Sequence, residues 1–531
     1  MNDPDVASSP SPATDPTIGP AALSDIRALS EHPDQSAARA RLVRSGSQEG
    51  VPHPTVEERQ RRGKLARVQT PRQELGGWQA PADRADPVAL LKGQETSRVQ
   101  ELVPVRHARM ATSAFAFYRG SAIVMASDLS TRPRTGLDAQ LCGDAHLANF
   151  GMFAAPDRTV VFDVNDFDET NPGPFEWDVK RLAASIVLAA RDNKLSEKVE
   201  RTCTEAAAAQ YRIAMTDFAA RREIDIWYDR IDVTSMQTLL QGDAVAATKA
   251  KQKKRIDRVQ GAVDKSLAAA RARDQWSAIA KITEVVDGQR QFRNDPPLLT
   301  RLDIDPESRA VVNGLFREYR STLQDDRKEL LKRYEIVDIG HKVVGVGSVG
   351  LLALVLLMRG RDENDLMVIQ VKQAQASVLE PYTHKSAFNK HGHRVVTGQR
   401  LMQAASDSFL GWIDGPGGRS FYLRQLRDMK WSPDLTTMTP EGLLSYSRLC
   451  GHTLARAHAR SGDAVALAAY LGNSTAFDKA ITEFAVSYAD QVAIDFAAFT
   501  AAIASGQMTA HESESVADDA ATEALFSPQV D

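Results

Sequence analysis

The sequence predicts a helix-rich α+β fold in two lobes, and three observations carry that expectation. The chain has 531 residues, more than one hydrophobic core of ordinary size organises. Long stretches within residues 56–335 and 436–508 repeat apolar side chains at helical spacing, which assigns them to one helical lobe. Between them, residues 336–435 open with a strand, a glycine-rich turn, an apolar run, a polar turn and a second strand, the texture of a β-rich lobe.

Bulk composition narrows the function classes. Apolar content of 43% and charged content of 25% are ordinary for a globular chain. A formal net charge of −4 gives no basis for a nucleic-acid partner. Cys142, Cys203 and Cys450 are far apart and form no CxxC pair, which favours free thiols in a reducing compartment. The N-terminus MNDPDVASSPSPATDPTIGP lacks the basic and apolar regions of a secretory signal. Leu351–Met358, the longest apolar run, is too short to span a bilayer. The expectation is a cytoplasmic protein with no membrane partner.

In chain order, residues 1–55 are rich in Pro, Ser, Ala and Asp and are expected to be disordered. The basic segment ERQRRGKLARVQTPRQ reads as a solvated lead-in helix, and Pro87–Val105 as the start of the folded part. FAFYRGSA groups Phe115, Phe117, Tyr118 and Arg119. Asn149–Ala155 and Thr159–Val164 are β-type runs around the turn signal Pro156-Asp157-Arg158, predicting a hairpin. Trp177–Ala190 reads as a helix with Asp178 in its first turn, where the helix dipole favours a carboxylate. Residues 195–335 are mostly helical, and their basic run KAKQKKRIDRVQ reads as a solvated face. After the β-rich segment come a helix ending in HRVVTGQRLMQAASD, a strand at SFYLRQLR and a helix at GLLSYSRLCGHTLARAHARSG. Alanine-rich helices follow, and residues 509–531 form an acidic tail expected to be disordered.

Leu141–Lys180 concentrates the chemistry. It gathers Asp144, His146, Asn149, Asp163, Asp166, Asp168 and Glu169. Carboxylates are expensive to gather without a cation, and Mg²⁺ is the usual one. Far downstream, Gly345, Gly347, Ser348 and Gly350 belong to GVGSVG, a weak signal alone. A dinucleotide-binding unit would open a helix there. Here the string meets two apolar runs joined by GRDEND, the second ending in Lys372. Glycines at the first bend and a lysine on the far strand match the nucleotide clamp of protein kinases, so ATP is the expected ligand. The bland alternative is a tight β-turn with a surface lysine.

Kinase chemistry needs an aspartate for the acceptor hydroxyl, an asparagine five residues later for Mg²⁺ and an aspartate after a hairpin for Mg²⁺. Asp144, Asn149 and Asp166 meet that pattern. Asp163 competes for the last place because it follows Val160-Val161-Phe162 directly; spacing to Asp178 and the following Phe167 favour Asp166. His146 takes a supporting place. Arg119 either neutralises a phosphate or acidic cluster or makes an ordinary salt bridge. Glu380, eight residues after Lys372, is the nearest candidate partner for that lysine. The catalytic half precedes the clamp, the reverse of the ordinary order. The prediction is therefore a circularly permuted, two-lobed protein kinase-like fold, which is feasible where the original ends lie close together.

GDAHLAN resembles the catalytic loop of aminoglycoside and choline phosphotransferases, with Cys142 where histidine is usual. VNDFDE followed by Asp178 resembles their metal-binding segment and the aspartate that braces it. GKLARVQTPR, LVPVRHARM, CGDAHLANFG, FDVNDFDETNPGPFEWDVKRLAAS, KVVGVGSVG and YLRQLRDMK together resemble the bacterial domain-of-unknown-function family DUF2252. That resemblance implies a kinase-related fold without an assigned reaction. Two departures are Gln373, where an acidic residue is expected, and Leu351-Leu352, where a polar pair is usual. The expected function is an ATP- and Mg²⁺-dependent phosphotransferase acting on a small molecule or a protein. The alternatives are a nucleotide-binding pseudokinase and a metallophosphoesterase built from GDAH and His391–His393, although DxH and GNH strings are missing.

Overall fold

The computed structural model describes residues 53–241 and 275–511 apart from 297, 304, 343–345, 348, 427 and 428, together with 261, 265, 267 and 268. The disordered ends expected at 1–55 and 509–531 fall largely outside these residues, and the basic run 249–260 wholly so. Their inner edges are structured: Thr55 caps a helix, and the Thr509 carbonyl lies 2.6 Å from His107 Nδ1.

A capping box opens the first helix, α1 (Val56–Gln69). Thr55 Oγ1 accepts the Glu58 N–H at 3.2 Å, and the Glu58 carboxylate accepts the Thr55 N–H at 2.7 Å. Most of α1 is exposed, as its charge predicts, yet Gly63 and Ala66 are buried. A Cβ added at Gly63 would sit 2.1 Å from the Ala466 carbonyl oxygen. Two small residues are enough to seat this helix, so the fold starts here and not at Pro87. Helices α2 (Pro87–Glu95), α3 (Val103–Met110), α4 (Ala114–Gly120) and α5 (Ala122–Ser130) follow.

The expected hairpin is present. Strand β1 (Asp138–Leu141) leads into the loop that precedes β2 (Phe150–Ala154) and β3 (Val160–Val164), which pair antiparallel with Phe150 opposite Val164. Arg158 takes φ +68° in their turn. Strand β4 (Asn171–Pro174) returns to pair with β1. Helix α6 (Phe175–Asp192) is buried from Phe175 through Ala190, its charged first turns (Glu176, Asp178, Lys180 and Arg181) included. The long helix α7 (Glu197–Ala219) packs beside it. Strand β5 (Ile231–Asp232) extends the β2–β3 pair, and β6 (Thr283–Val286) and β7 (Gln289–Phe292) form a separate hairpin.

The principal sheet has six antiparallel strands in the order β12-β13-β11-β10-β9-β8. These are β8 (Leu299–Arg301), β9 (Glu335–Lys342), β10 (Ala353–Arg359), β11 (Leu366–Ala374), β12 (Gly411–Asp414) and β13 (Ser420–Gln425). The run LLALVLLM, compatible with helix or strand by pattern, is strand because both faces are covered. Leu354, Leu356 and Met358 pack with Phe316 and Tyr319 of helix α8 (Pro306–Ser321). Val355 and Leu357 pack on the other face with Ile279 and Phe292. The sheet recruits β8 and α8, so its packing unit begins well before residue 336, the boundary read from texture. Tertiary pairing, which composition does not encode, moves that boundary.

Helix α9 (His391–Met402) lies against the sheet, and α10 (Pro440–Ser461), α11 (Ala464–Leu471) and α12 (Ala476–Ala504) complete the large helical core with α6 and α7. The result is a mixed α+β chain with several antiparallel sheets. No described helix is long and apolar enough to cross a membrane. Close seating of α9 depends on one glycine: a Cβ at Gly392 would lie 2.2 Å from the Phe421 carbonyl oxygen. Gly392→Ala should cost about 1–3 kcal/mol by forcing helix and sheet apart. Urea unfolding measures this, and an unchanged midpoint contradicts it.

Candidate functional site

The loop after β1 is held by its own backbone. Gly143 takes φ +81°, and a Cβ there would lie 2.3 Å from the Glu169 carbonyl oxygen, so only glycine fits. The Asp178 carboxylate accepts the Cys142 N–H at 2.8 Å and the Gly143 N–H at 3.0 Å. Asp178 therefore does more than complement a helix dipole: it ties the loop to α6. Within the loop, Asn149 Nδ2 donates to the Asp144 carbonyl oxygen at 2.7 Å. That leaves the Asn149 carbonyl oxygen as the side-chain atom of cation-ligand type.

Asp144 has a cationic partner that sequence reading missed. Arg181 Nε donates to Asp144 Oδ1 at 2.8 Å, and the same guanidinium donates to the Tyr118 carbonyl oxygen and lies 3.8 Å over the Tyr118 ring. His146 is buried with its Nε2 3.5 Å from Asp144 Oδ2, a supporting position. Burial raises the Asp144 carboxyl above its ordinary pKa; Arg181 opposes this and Asp166 adds to it. A carboxylate with raised proton affinity suits a general base.

Asp163 and Asp166 differ in their contacts. Asp163 Oδ1 accepts from Arg456 at 2.5 Å and from the Val164 N–H at 2.8 Å, and it is buried against α10 and the residues following α9. It does not line the cavity that Asp166 lines. Asp163 sits inside β3, where cross-packing claims its side chain, while Asp166 follows the strand end and is released to the cavity.

Lys372 pairs with neither Asp166 directly nor Glu380. Its Nζ donates to Asp168 Oδ2 at 2.7 Å, and the Tyr422 hydroxyl donates to Asp168 Oδ1 at 2.7 Å. Sheet register explains the convergence, because Lys372 on β11 is directly opposite Tyr422 on β13. Burial works against the lysine charge, but Asp166, Asp168 and Tyr422 hold it above its ordinary range. Asp166 is adjacent, its Oδ1 accepting the Asp168 N–H at 3.3 Å. Glu380 instead lies 4.0 Å from Arg394 Nε, on the turn leading to α9. Proximity in sequence misled here, because Asp168 reaches the lysine only through the fold.

Of the glycine string, Gly345 and Ser348 lie outside the described residues. Gly347 lines the cavity, and Gly350 takes φ +90°. The Gly350 carbonyl accepts the Val99 N–H at 2.8 Å, and Arg98 donates to the Val349 carbonyl at 2.6 Å. The two departures from the expected pattern bond to each other: Leu352 N–H reaches Gln373 Oε1 at 3.2 Å and Gln373 N–H reaches the Leu352 carbonyl at 2.8 Å.

One cavity of about 560 Å³ brings together Asp144, Asn149, Asp166, Asp168, Arg119 and Gly347. Its size is ordinary for a small-ligand site. His391 also lines it, but His393 lies between Phe388 and Trp412, stacked on the Trp412 ring and tilted to that of Phe388, at 4.6 Å from each, so HGH forms no ligand pair with His146. Among the described residues no group of three or more His, Cys, Asp or Glu is placed to hold a metal alone. Arg181 had a signal in the sequence, being three residues after Asp178 and on one helix face with it. Asp168 was visible only as one of the gathered carboxylates, and Tyr422 had no signal at all.

A family model described as an uncharacterized protein conserved in bacteria, DUF2252, matches residues 98–502. The chain belongs to this family. The match spans the loop, the hairpin, the glycine turn and Lys372, so every residue lining the cavity of this DUF2252 protein except Gln94 and Ser97 lies inside it. Comparison with curated proteins and with solved structures gives no match.

Two outcomes follow from these contacts. Asp163→Ala leaves Arg456 buried without its counter-charge, and urea unfolding should register a loss of about 3–5 kcal/mol. A loss under about 1 kcal/mol would return Asp163 to the candidate metal ligands. Glu169 also lines the cavity, its Oε2 accepting the Val378 N–H at 2.7 Å, and burial raises its pKa from 4.5 to about 7. The folded chain therefore holds a proton that the unfolded chain has lost between those values. The stabilising contribution is complete below pH 4.5 and lost as pH rises through about 7. Glu169→Gln should flatten that part of the melting-temperature profile, and an unaltered profile contradicts the assignment.

Proposed function

We propose that this DUF2252 protein is an ATP- and Mg²⁺-dependent phosphotransferase on a circularly permuted, two-lobed kinase-like fold. The observation that carries this reading is the Lys372–Asp168 bond, at 2.7 Å, which places the lysine of the glycine-turn hairpin beside Asp166. Asp144, Asn149 and Asp166 share one cavity. The clamp and the catalytic loop, about two hundred residues apart in sequence, meet at one cavity, as a single phosphotransferase site requires.

Permutation has its own support. The end of α10 meets the start of β1: Gln140 N–H donates to Ser461 Oγ at 3.2 Å, and a Cβ at Gly462 would lie 3.3 Å from the Asp138 carbonyl oxygen. The helix that leads into a catalytic loop in ordinary kinases thus ends against this one, although the chain does not connect them there. Joined ends of this kind are what permutation requires.

In this reading Asp144 orients the acceptor hydroxyl and takes its proton, with Arg181 holding the carboxylate in place. Lys372 leaves Asp168 for the phosphates of the nucleotide, and the Gly347–Gly350 turn lets the backbone approach them. Asn149 and Asp166 would hold Mg²⁺, which neutralises phosphate charge when bound. Two oxygen-bearing side chains without a protein cage fit that ion, which commonly completes its shell with phosphate and water. The acceptor is a hydroxyl on a small molecule or a protein. A two-metal phosphoesterase lacks its ligand cluster among the described residues.

Calorimetric titration with Mg²⁺ and ATP tests the reading. Wild type should bind, and Asp166→Ala and Lys372→Ala should each weaken binding by about tenfold or more, the loss of a charge-assisted contact. Equal affinity in wild type and Asp166→Ala, or no binding by wild type, would overturn it.

A further inference from the structure

The cavity contains a cation that neither the glycine turn nor the catalytic loop supplies. Arg119 comes from α4, upstream of β1, and its guanidinium lies in the combined field of Asp144 and Asp166. Its Nε is buried without a hydrogen-bond partner in the described residues. Burial opposes its charge, and the two aspartates sustain it. The side chain is not an ordinary salt bridge, because no carboxylate is within bonding distance among the described ion pairs.

Neighbouring cations are already committed. Arg181 serves Asp144 and the Tyr118 carbonyl, Lys372 serves Asp168, and Arg98 serves the Val349 carbonyl. Arg394 serves the carbonyls of Thr170, Asp168 and Gln375. The Nε atoms of Arg98 and Arg394 are likewise buried without a partner, but those guanidiniums donate through their other nitrogens, whereas Arg119 makes no side-chain hydrogen bond among the described residues, a costly arrangement for a guanidinium. The helix that carries it is well packed. Phe115, Phe117 and Tyr118 are buried around it, and a Cβ at Gly347 would lie 3.3 Å from the Arg119 carbonyl oxygen. The glycine turn and the arginine therefore share one wall.

The residues flanking Arg119 identify its ligand. Asp144, the carboxylate suited to take an acceptor proton, and Asp166, the carboxylate suited to hold a metal, line the same cavity and both act on the charge of Arg119. In phosphoryl transfer the group between those two is the terminal phosphate. A guanidinium there offers planar, paired donors matched to phosphate oxygens.

We propose that Arg119 binds the terminal phosphate of a nucleoside triphosphate, and that it makes the site selective for triphosphate over diphosphate. This rests on the phosphotransferase reading above. In the transfer step the acceptor oxygen bonds to the terminal phosphorus as the bridging P–O bond to the diphosphate breaks. The acceptor proton passes to Asp144, and the nucleoside diphosphate leaves with the bridging oxygen. Arg119 acts on the charge of the moving group from helices that precede the catalytic loop in the chain.

The test compares Mg²⁺–ADP with the Mg²⁺ complex of the non-hydrolysable β,γ-imido analogue of ATP, by calorimetry on the full chain. Wild type should prefer the analogue. Arg119→Ala should weaken the analogue about 10- to 100-fold, the range for a lost charge-assisted hydrogen bond, and leave ADP within about twofold. Arg119→Lys, which keeps the charge and loses the fork, should fall between. Unchanged ADP affinity also certifies that the variants fold. Equal weakening of both ligands in Arg119→Ala, retention of the preference, or no preference in wild type overturns the proposal while leaving the nucleotide reading intact. Failure of wild type to bind either ligand overturns both.

Discussion

The carboxylate of Asp168 is the point at which the six-stranded sheet is tied to the stretch between β3 and β4. It accepts from Lys372 on β11 and Tyr422 on β13, while its backbone carbonyl accepts from Arg394 on α9. Three elements of the sheet assembly thereby converge on one residue that follows the β2–β3 hairpin. Such a buried ion pair costs desolvation and returns that cost only with good geometry and added hydrogen bonds. Asp168 has both. The pair is better understood as a device for position than as a source of net stability, because it sets how the lysine stands relative to Asp166.

The same logic governs the loop beneath it. Asp178 binds two successive backbone N–H groups, Gly143 removes a side chain where Glu169 approaches, and Asn149 closes the loop onto the Asp144 carbonyl. Each contact removes a freedom of the loop that carries Asp144 and Asn149. The gathered carboxylates are balanced in turn by Arg181, Lys372 and Arg119, each drawn from a different part of the chain. Those three cations offset the charge of so acidic a stretch.

Legibility divided along a clear physical line. Asp144, Asn149 and Asp166 were readable because their spacing reflects a loop and hairpin that form locally, and the structure brings all three to one cavity. Lys372 stands opposite Ala353 in the β10–β11 hairpin, a register that local pairing sets. Glu380 failed as its partner because sequence nearness is a poor guide to which carboxylate reaches a strand residue across a cleft. Asp163 was ambiguous for a related reason: a strand aspartate next to the right motif is spent on Arg456, almost three hundred residues away.

By itself the sequence determined the helix-rich α+β character, the hairpins and the identity of the acidic residues suited to the site, because hydrophobic periodicity and turn chemistry act over short distances. It also determined family membership, which rests on linear motifs. Only the tertiary structure decided that β8 and α8 belong to the sheet, that Asp168 is the lysine's partner and that Arg119 faces Asp144 and Asp166. Those are matters of long-range register and packing. A side chain's partner across hundreds of residues depends on how whole elements dock, and no local pattern encodes that.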